Sequence, residues 1–190
     1  MSANIARAIK VDGLVGDPPQ SACGLVAKRL AERDDARRLR ELFEGAALVP
    51  VPRSSLHREG SPWPGMSLCE AMRALGLGDV VIRLLERRSP VRKAATASRG
   101  ARPTADDHRG SLSVASLVVV GRPILLVDDV VTTGAQLFGA AEAIREASPG
   151  AVVMGFAAVR TRSDGDVDAL IEPVVGTIRM RGDGRTHRDP

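Results

Sequence analysis

Short apolar runs alternate with helical patterns along most of the chain. The runs that predict buried strands are residues 46–51, 79–85, 112–120, 124–127, 151–159 and 171–178. Apolar residues recur at helical spacing in residues 21–44 and 64–75, and again from Leu137 until Ser148-Pro149-Gly150 ends the pattern. Strands that are apolar on both faces and alternate with helices predict a single-domain α/β fold, with a parallel sheet and helices on both faces.

The apolar run 124–127 ends in two adjacent carboxylates, Asp128 and Asp129, and the sequence Val-Val-Thr-Thr-Gly follows them. Gly134 permits close backbone approach, the threonines offer hydroxyl groups, and the next helix begins with free N–H groups, so the stretch suits a phosphate. Carboxylates repel phosphate but bind sugar hydroxyls or Mg²⁺. The stretch therefore predicts a ribose 5-phosphate site. The alternative is a strand whose polar end residues only cap the next helix.

This stretch resembles the phosphoribosyl pyrophosphate signature of type I phosphoribosyltransferases, in which four apolar residues, two acids and two small apolar residues precede Thr-Thr-Gly. The resemblance implies the Rossmann-like fold of that family. It also implies that Asp128 and Asp129 are the catalytic pair, which binds the ribose hydroxyls and Mg²⁺. By the same resemblance, the 5-phosphate is wrapped by Val130, Val131, Thr132, Thr133, Gly134, Ala135 and Gln136.

Two other segments carry the pyrophosphate contacts that the resemblance implies. The strand at 46–51 runs into a proline-rich turn, which places Arg53, Ser54 and Ser55 at a fixed strand end, although a merely stiff turn is the alternative. Residues 89–110 have no apolar period, and their length suggests a functional lid or a solvated loop without ligand. The resemblance implies a mobile lid that closes over the pyrophosphate. The candidate lid cations are Arg92, Lys93, Arg99, Arg102 and Arg109, with Arg92, Lys93 and Arg102 assigned to pyrophosphate.

The resemblance implies a phosphoribosyltransferase that transfers ribose 5-phosphate from phosphoribosyl pyrophosphate to a nitrogen nucleophile, a nucleobase by family precedent. The Val-Pro-Val-Pro turn and the Arg-rich loop are most similar to the competence-factor-like and amidophosphoribosyl-like branch. The chain lacks the four-cysteine ribbon of the former and the cysteine nucleophile domain of the latter. The alternative function is a non-catalytic sensor of phosphoribosyl pyrophosphate, or a nucleic-acid-binding protein on the same fold.

Charge and aromatic content bear on the choice between an enzyme and a nucleic-acid-binding protein. The net charge is +4, and residues 83–109 hold eight basic and three acidic residues, a local excess of +5 that favours anionic ligands. Aromatic residues make up only 2% of the chain, which disfavours nucleic-acid binding by stacking. The sequence leaves open whether the chain forms a homodimer.

The sequence predicts a protein of the cytoplasm. No apolar run is long enough to span a membrane, and Cys23 and Cys69 suggest free thiols. The organisation predicted from the sequence is an N-terminal segment (1–20), the phosphoribosyltransferase-like domain (21–178) and a C-terminal tail (179–190).

Overall fold

The computed structural model describes residues 2–32, 41–92, 102–115, 121–161, 167–169 and 175–189. Its helices are α1 (Ser2–Val11), α2 (Ala22–Ala31), α3 (Pro64–Ala74), α4 (Ala105–Gly110) and α5 (Ala135–Ala147). Its strands are β1 (Leu14–Val15), β2 (Gln20–Ser21), β3 (Ala47–Pro50), β4 (Val80–Val81), β5 (Leu85–Arg87), β6 (Leu112–Val114), β7 (Ile124–Val131), β8 (Val153–Thr161), β9 (Val167–Ala169), β10 (Thr177–Met180) and β11 (Thr186–Asp189).

The main sheet has the strand order β4-β3-β7-β8-β9. The first four strands are parallel, and β9 joins the edge antiparallel to β8. The connection from β3 to β4 contains α3, and the connection from β7 to β8 contains α5. The predicted α/β class with a parallel sheet is confirmed.

Each central strand contributes side chains to a core on both faces of the sheet. In β7, Leu125 and Val127 belong to the core that α1, α2 and α3 cover, whereas Ile124 and Leu126 belong to the core covered by α5. This alternation explains why β7 is a continuous apolar run, because neither of its faces meets water.

Two predicted strands contribute to a second, two-stranded sheet. The predicted strand 79–85 divides into β4, at the sheet edge, and the beginning of β5, which pairs antiparallel with β6 in a separate two-stranded sheet. Polar and charged residues in β5 and β6, Glu86, Arg87 and Ser113, explain this placement, since a central parallel strand is buried on both faces. Residues 116–120 of the predicted strand 112–120 are outside the described residues.

The chain ends also differ from the predicted organisation. The N-terminal segment contains α1, whose Ile9 is fully buried in the core. The predicted C-terminal tail instead forms the hairpin of β10 and β11, in which Arg181 N–H donates to Arg185 O and Gly184 takes a φ of 74° in the turn. The glycines that suggested a tail are therefore turn residues. The predicted strand 171–178 is described only at its end, which belongs to β10.

The predicted helix over residues 21–44 begins with α2, where Ser21 Oγ accepts a hydrogen bond from Gly24 N–H. Its residues 33–40 are outside the described residues. Within the described part of the chain, none of the helices combines the length and apolar character needed to cross a bilayer.

Candidate functional site

The carboxyl ends of β3 and β7 form the place where the sheet order reverses. The chain leaves β3 toward β4 on one side and leaves β7 toward β8 on the other. Open α/β sheets bind ligands in the crevice beyond the strand ends at such a switch point, because the two connections diverge there. Residues 51–55 follow β3, and Val51 N–H donates to Val127 O at 2.9 Å, immediately before the carboxylate pair.

The carboxylate pair lies where β7 extends beyond β3. Pro50, the last residue of β3, pairs with Val127, whereas Asp128 pairs only with Ala157 of β8. Asp128 is buried, and its carboxylate accepts hydrogen bonds from Asp129 N–H at 3.0 Å and from Gln136 Nε2 at 3.1 Å. Burial, and next the charge of Asp129, raise the pKa of Asp128 well above its usual range. The pair therefore favours a cation or hydroxyl donors as a ligand.

The loop after the pair has the features of a phosphate cradle. Gly134 takes the left-handed φ of 85° as the N-cap of α5, and no side chain caps the helix. The first amides of α5 therefore keep their donors, since the first turn of a helix has no intrahelical acceptor for them. Thr132 and Thr133 are exposed beside these amides.

Gln136 has a different side-chain role from the rest of the predicted phosphate loop. Its Nε2 donates to Asp128 Oδ2 and, at 3.5 Å, to Pro52 O of the turn after β3. The amide side chain thus joins the carboxylate pair to the predicted pyrophosphate turn. Only the backbone of Gln136 is left for the phosphate.

Arg87, which the sequence analysis did not single out, is a buried cation behind the site. Its Nε donates to Arg53 O at 2.9 Å and its Nη2 to Pro52 O at 3.1 Å, while Nη1 bonds His108 O and Ser111 Oγ. Burial lowers the pKa of Arg87 to about 10, and the nearby charge of Asp128 opposes that shift. Arg87 and its exposed neighbour Arg88 look alike in sequence, so only the fold distinguishes them.

The predicted pyrophosphate residues of the turn after β3 surround this network. Arg53 is exposed and donates from Nη1 to Pro62 O at 2.7 Å, and Ser54 and Ser55 are half-buried. Ser54 O accepts a hydrogen bond from Val91 N–H at 2.7 Å, which brings the start of the predicted lid to this turn. Of the lid cations, Arg92 and Arg102 are exposed, and Lys93 and Arg99 are outside the described residues.

The far end of the predicted lid is a helix. Thr104 and Asp107 form a reciprocal capping box that starts α4. The sequence predicts a surface position for His108, because no second catalytic group lies near it along the chain. In the structure His108 is buried, and its Nδ1 has no hydrogen-bond partner. Arg109 forms ion pairs with Asp106 and Glu146, so its charge is engaged at α5. The irregular loop predicted through residue 110 therefore ends before α4.

The donor set fits Mg²⁺ in part. Asp129 is half-buried and provides a hard oxygen donor beside Asp128. Among the described residues, no three His, Cys, Asp or Glu side chains converge to hold a metal ion. Mg²⁺ is commonly held by one or two carboxylates together with substrate phosphates, so the pair suits an ion that arrives with a phosphorylated ligand.

Both cysteines are buried free thiols. Burial, followed by the charge of Asp12, raises the pKa of Cys23 to about 12. Burial likewise raises the pKa of Cys69. Neither thiol is therefore a nucleophile for the site.

No family model and no curated protein matches the chain. It is similar to solved structures that include a glutamic acid mutant of an HPRT at an invariant aspartic acid (16% identity, TM-score 0.41, covering 79% of this chain and 72% of that one). Others are hypoxanthine phosphoribosyltransferases from Trypanosoma cruzi (18%, TM-score 0.41, covering 79% and 69%) and Staphylococcus aureus (13%, TM-score 0.38, covering 89% and 78%). At these TM-scores the function has to be argued from the site itself.

Proposed function

We propose that the chain is a phosphoribosyltransferase. It binds phosphoribosyl pyrophosphate with Mg²⁺ and transfers the ribose 5-phosphate to a nitrogen nucleophile, with release of pyrophosphate. The observation that carries the proposal is the adjacency, at the switch point of the sheet, of a carboxylate pair with buried Asp128 and a helix N-terminus that begins at Gly134 without a side-chain cap. These two features suit the two ends of a ribose 5-phosphate, its hydroxyls and its phosphate.

The residues of the chain position and stabilise the reacting groups. Asp128 and Asp129 accept hydrogen bonds from the ribose hydroxyls, and their negative charge stabilises the cationic character that develops at C1 as pyrophosphate leaves. Gln136 holds Asp128 in place through its 3.1 Å hydrogen bond. The turn from Arg53 to Ser55 receives the pyrophosphate, with Arg92 and Arg102 entering from the lid.

Mg²⁺, held by Asp129 and Asp128 with oxygens of the ligand, would neutralise part of the charge on the leaving pyrophosphate. The acceptor is a nitrogen nucleophile, and we propose a nucleobase. Placement in the competence-factor-like and amidophosphoribosyl-like branch rests on the Val-Pro-Val-Pro turn and the basic loop, and is part of this proposal.

Isothermal calorimetry with phosphoribosyl pyrophosphate and Mg²⁺ tests binding. The parent protein should show saturable heat, and Asp129→Asn should weaken it at least about tenfold, the loss of one charged hydrogen-bond acceptor. Asp79→Asn is the matched control, because Asp79 precedes β4 at the opposite end of the sheet, where it pairs with Arg122. Absence of heat at millimolar ligand would reject the proposal.

Release of pyrophosphate, measured against a panel of nucleobases and amines, tests catalysis. A base that accelerates release supports the transferase, whereas binding without release for every acceptor supports a sensor. Binding of an oligonucleotide that weakens steeply with salt, without binding of the small ligand, supports the nucleic-acid alternative.

A further inference from the structure

The C-terminal hairpin contacts the proposed phosphate loop at two positions. Ile178 and Arg188 are cross-strand partners in the β10–β11 pair. Ile178 packs on Gly134, where an added Cβ would lie 2.6 Å from its Cδ1 atom. Arg188 donates from Nη1 to Val131 O at 3.4 Å and from Nη2 to Thr161 O at 3.0 Å. One residue pair of the hairpin therefore contacts two residues of the loop, Gly134 and Val131.

Arg188 keeps an unused donor at this position. Its Nε is buried and has no hydrogen-bond partner. Buried N–H groups without a partner are rare in native structures, because desolvation of a donor costs free energy that no bond returns. A ligand that accepts from the guanidinium would satisfy this group.

A second cation lies next to Arg188. Arg160 is the β8 partner of Val131, and Thr161, whose carbonyl accepts from Arg188, follows it. Burial, and then the charge of Arg160, lower the pKa of Arg188, which shows that the two guanidiniums repel each other. No carboxylate whose side chain the structure describes forms an ion pair with either arginine. An anion between them would remove the repulsion.

The charges around the phosphate loop favour an additional cation. Residues 130–136 contain no lysine or arginine, and Asp128 and Asp129 precede them. A phosphate monoester carries about −1.5 to −2 charges at neutral pH. Backbone amides and a helix dipole offset only part of that charge, equivalent to about half an elementary charge for the dipole.

We propose that Arg188 of the C-terminal hairpin, together with Arg160, binds the 5-phosphate of the ribose ligand. The inference rests on the proposed function and adds to it a phosphate contact from outside the loop. The hairpin then has two roles, since Ile178 shields the loop from water and Arg188 supplies positive charge. The chemistry that the pair recognises is an oxyanion, which either the sugar phosphate or an acidic acceptor could present.

Calorimetry on Arg188→Met tests the assignment with ribose 5-phosphate, phosphoribosyl pyrophosphate and Mg²⁺-pyrophosphate as separate probes. We expect about tenfold to hundredfold weaker binding of the two sugar phosphates, the loss typical of a hydrogen bond to a charged group, and unchanged binding of pyrophosphate. Arg179→Met is the matched control, because Arg179 lies on the same hairpin and pairs with Asp189 at the exposed surface. The melting temperature of Arg188→Met shows whether its hairpin stays folded. If the hairpin unfolds, Arg160→Met is the second test and should show the same loss of sugar-phosphate binding.

The outcomes separate this inference from the proposed function. If Arg188→Met and Arg160→Met bind the sugar phosphates as tightly as the parent does, the inference is refuted and the transferase proposal stands. An Arg188→Met variant that binds sugar phosphates normally but has a higher KM for acidic acceptors alone assigns the arginines to the acceptor and overturns the phosphate assignment. A parent that binds none of the sugar phosphates overturns both proposals.

Discussion

At the scale of single residues, Gly134 meets two demands that no other residue type satisfies. Its φ of 85° costs an L-residue about 1–2 kcal/mol, and a Cβ atom would collide with Ile178. Gly134→Val should therefore abolish binding of phosphoribosyl pyrophosphate in calorimetry, because the loop and the hairpin must both shift. The sheet should survive, since β7 and α5 are held by their own cores, and far-ultraviolet circular dichroism would show it.

A second glycine separates obstruction from backbone strain. Gly150, at the end of α5, has a φ of 91° with nothing within 4 Å of a built Cβ. Gly150→Val should lower the free energy of unfolding by about the same 1–2 kcal/mol of backbone strain and leave ligand binding unchanged. If Gly134→Val binds the ligand as the parent does, the loop is not the phosphate cradle.

Arg87 is the residue whose loss should affect both stability and the site. Arg87→Met leaves Arg53 O without its donor, at about 1–3 kcal/mol for an unpaired group, and leaves Pro52 O with only the 3.5 Å hydrogen bond from Gln136 Nε2. We expect a lower urea midpoint and weaker ligand binding, because the pyrophosphate turn is no longer fixed. Arg87→Lys should restore part of the binding through its charge but not the full hydrogen-bond set.

The adjacent Arg88 provides the matched control for that series. It is exposed, so Arg88→Met should leave the free energy of unfolding, measured with urea, within about 0.5 kcal/mol of the parent. Equal effects of the two methionine variants would contradict the role assigned to Arg87.

At the scale of elements, the contact between α4 and α5 fixes the distal end of the predicted lid. A Cβ built on Gly139 would lie 2.4 Å from Ala105 O and 2.9 Å from His108 Cβ. Gly139→Ala should therefore displace α4 and lower the melting temperature, since backbone and not a flexible side chain obstructs it. Gly110→Ala, where nothing lies within 4 Å, should leave the melting temperature equal or higher because alanine favours helix. Differential scanning calorimetry would compare the pair.

The lid itself is predicted to close over bound ligand. Its near end is joined to the pyrophosphate turn by the hydrogen bond from Val91 N–H to Ser54 O, and its far end is α4. Between them lie the basic residues that the sequence assigns to the lid, so trypsin should cut the free protein first at Arg92, Lys93 or Arg99, whereas Arg102 precedes Pro103 and resists trypsin. Phosphoribosyl pyrophosphate with Mg²⁺ should slow that cleavage, as followed by mass spectrometry of the fragments. Cleavage that is equally fast with and without ligand would remove these cations from the site.

At the scale of the whole molecule, the parts that the sequence predicted are those whose cause is local. The apolar run of β7, the two acids and the Thr-Thr-Gly turn are contiguous, so periodicity and turn chemistry suffice to place them. Arg87 and the hairpin arginine Arg188 were missed because their partners are carbonyl groups far away in sequence. Residues 179–189 looked like a tail because β10 has only two apolar side chains and β11 has none, which is too few to show a period.

The same distinction explains the error over His108. A histidine in a polar, capped segment suggests a surface position, but α4 is buried by its contact with α5, which involves a glycine more than 30 residues away. Tertiary packing thus overrides the local pattern. The buried imidazole also makes the stability of the folded state depend on pH.

Burial, and next the charge of Arg87, lower the pKa of His108 from 6.5 to about 4. The unfolded chain therefore takes up a proton at higher pH than the folded one, so stability is lost as pH falls from about 6.5 to about 4. At about 1.36 kcal/mol per pKa unit, the loss approaches roughly 3 kcal/mol. The raised pKa of Asp128 acts in the opposite direction, because its protonation favours the folded state as pH falls.

The contribution of His108 can be isolated by comparing variants. Urea unfolding at pH 7 and at pH 4.5 should give a smaller loss of unfolding free energy for His108→Phe than for the parent, because phenylalanine fills a similar volume without a titrating group. His57→Gln is the control, since His57 is exposed and should change neither value. The difference between the parent and His108→Phe cancels the titration of Asp128 and the other carboxyl groups, which both proteins share. If the two proteins lose equal free energy between these pH values, protonation of His108 is not what destabilises the folded chain in acid.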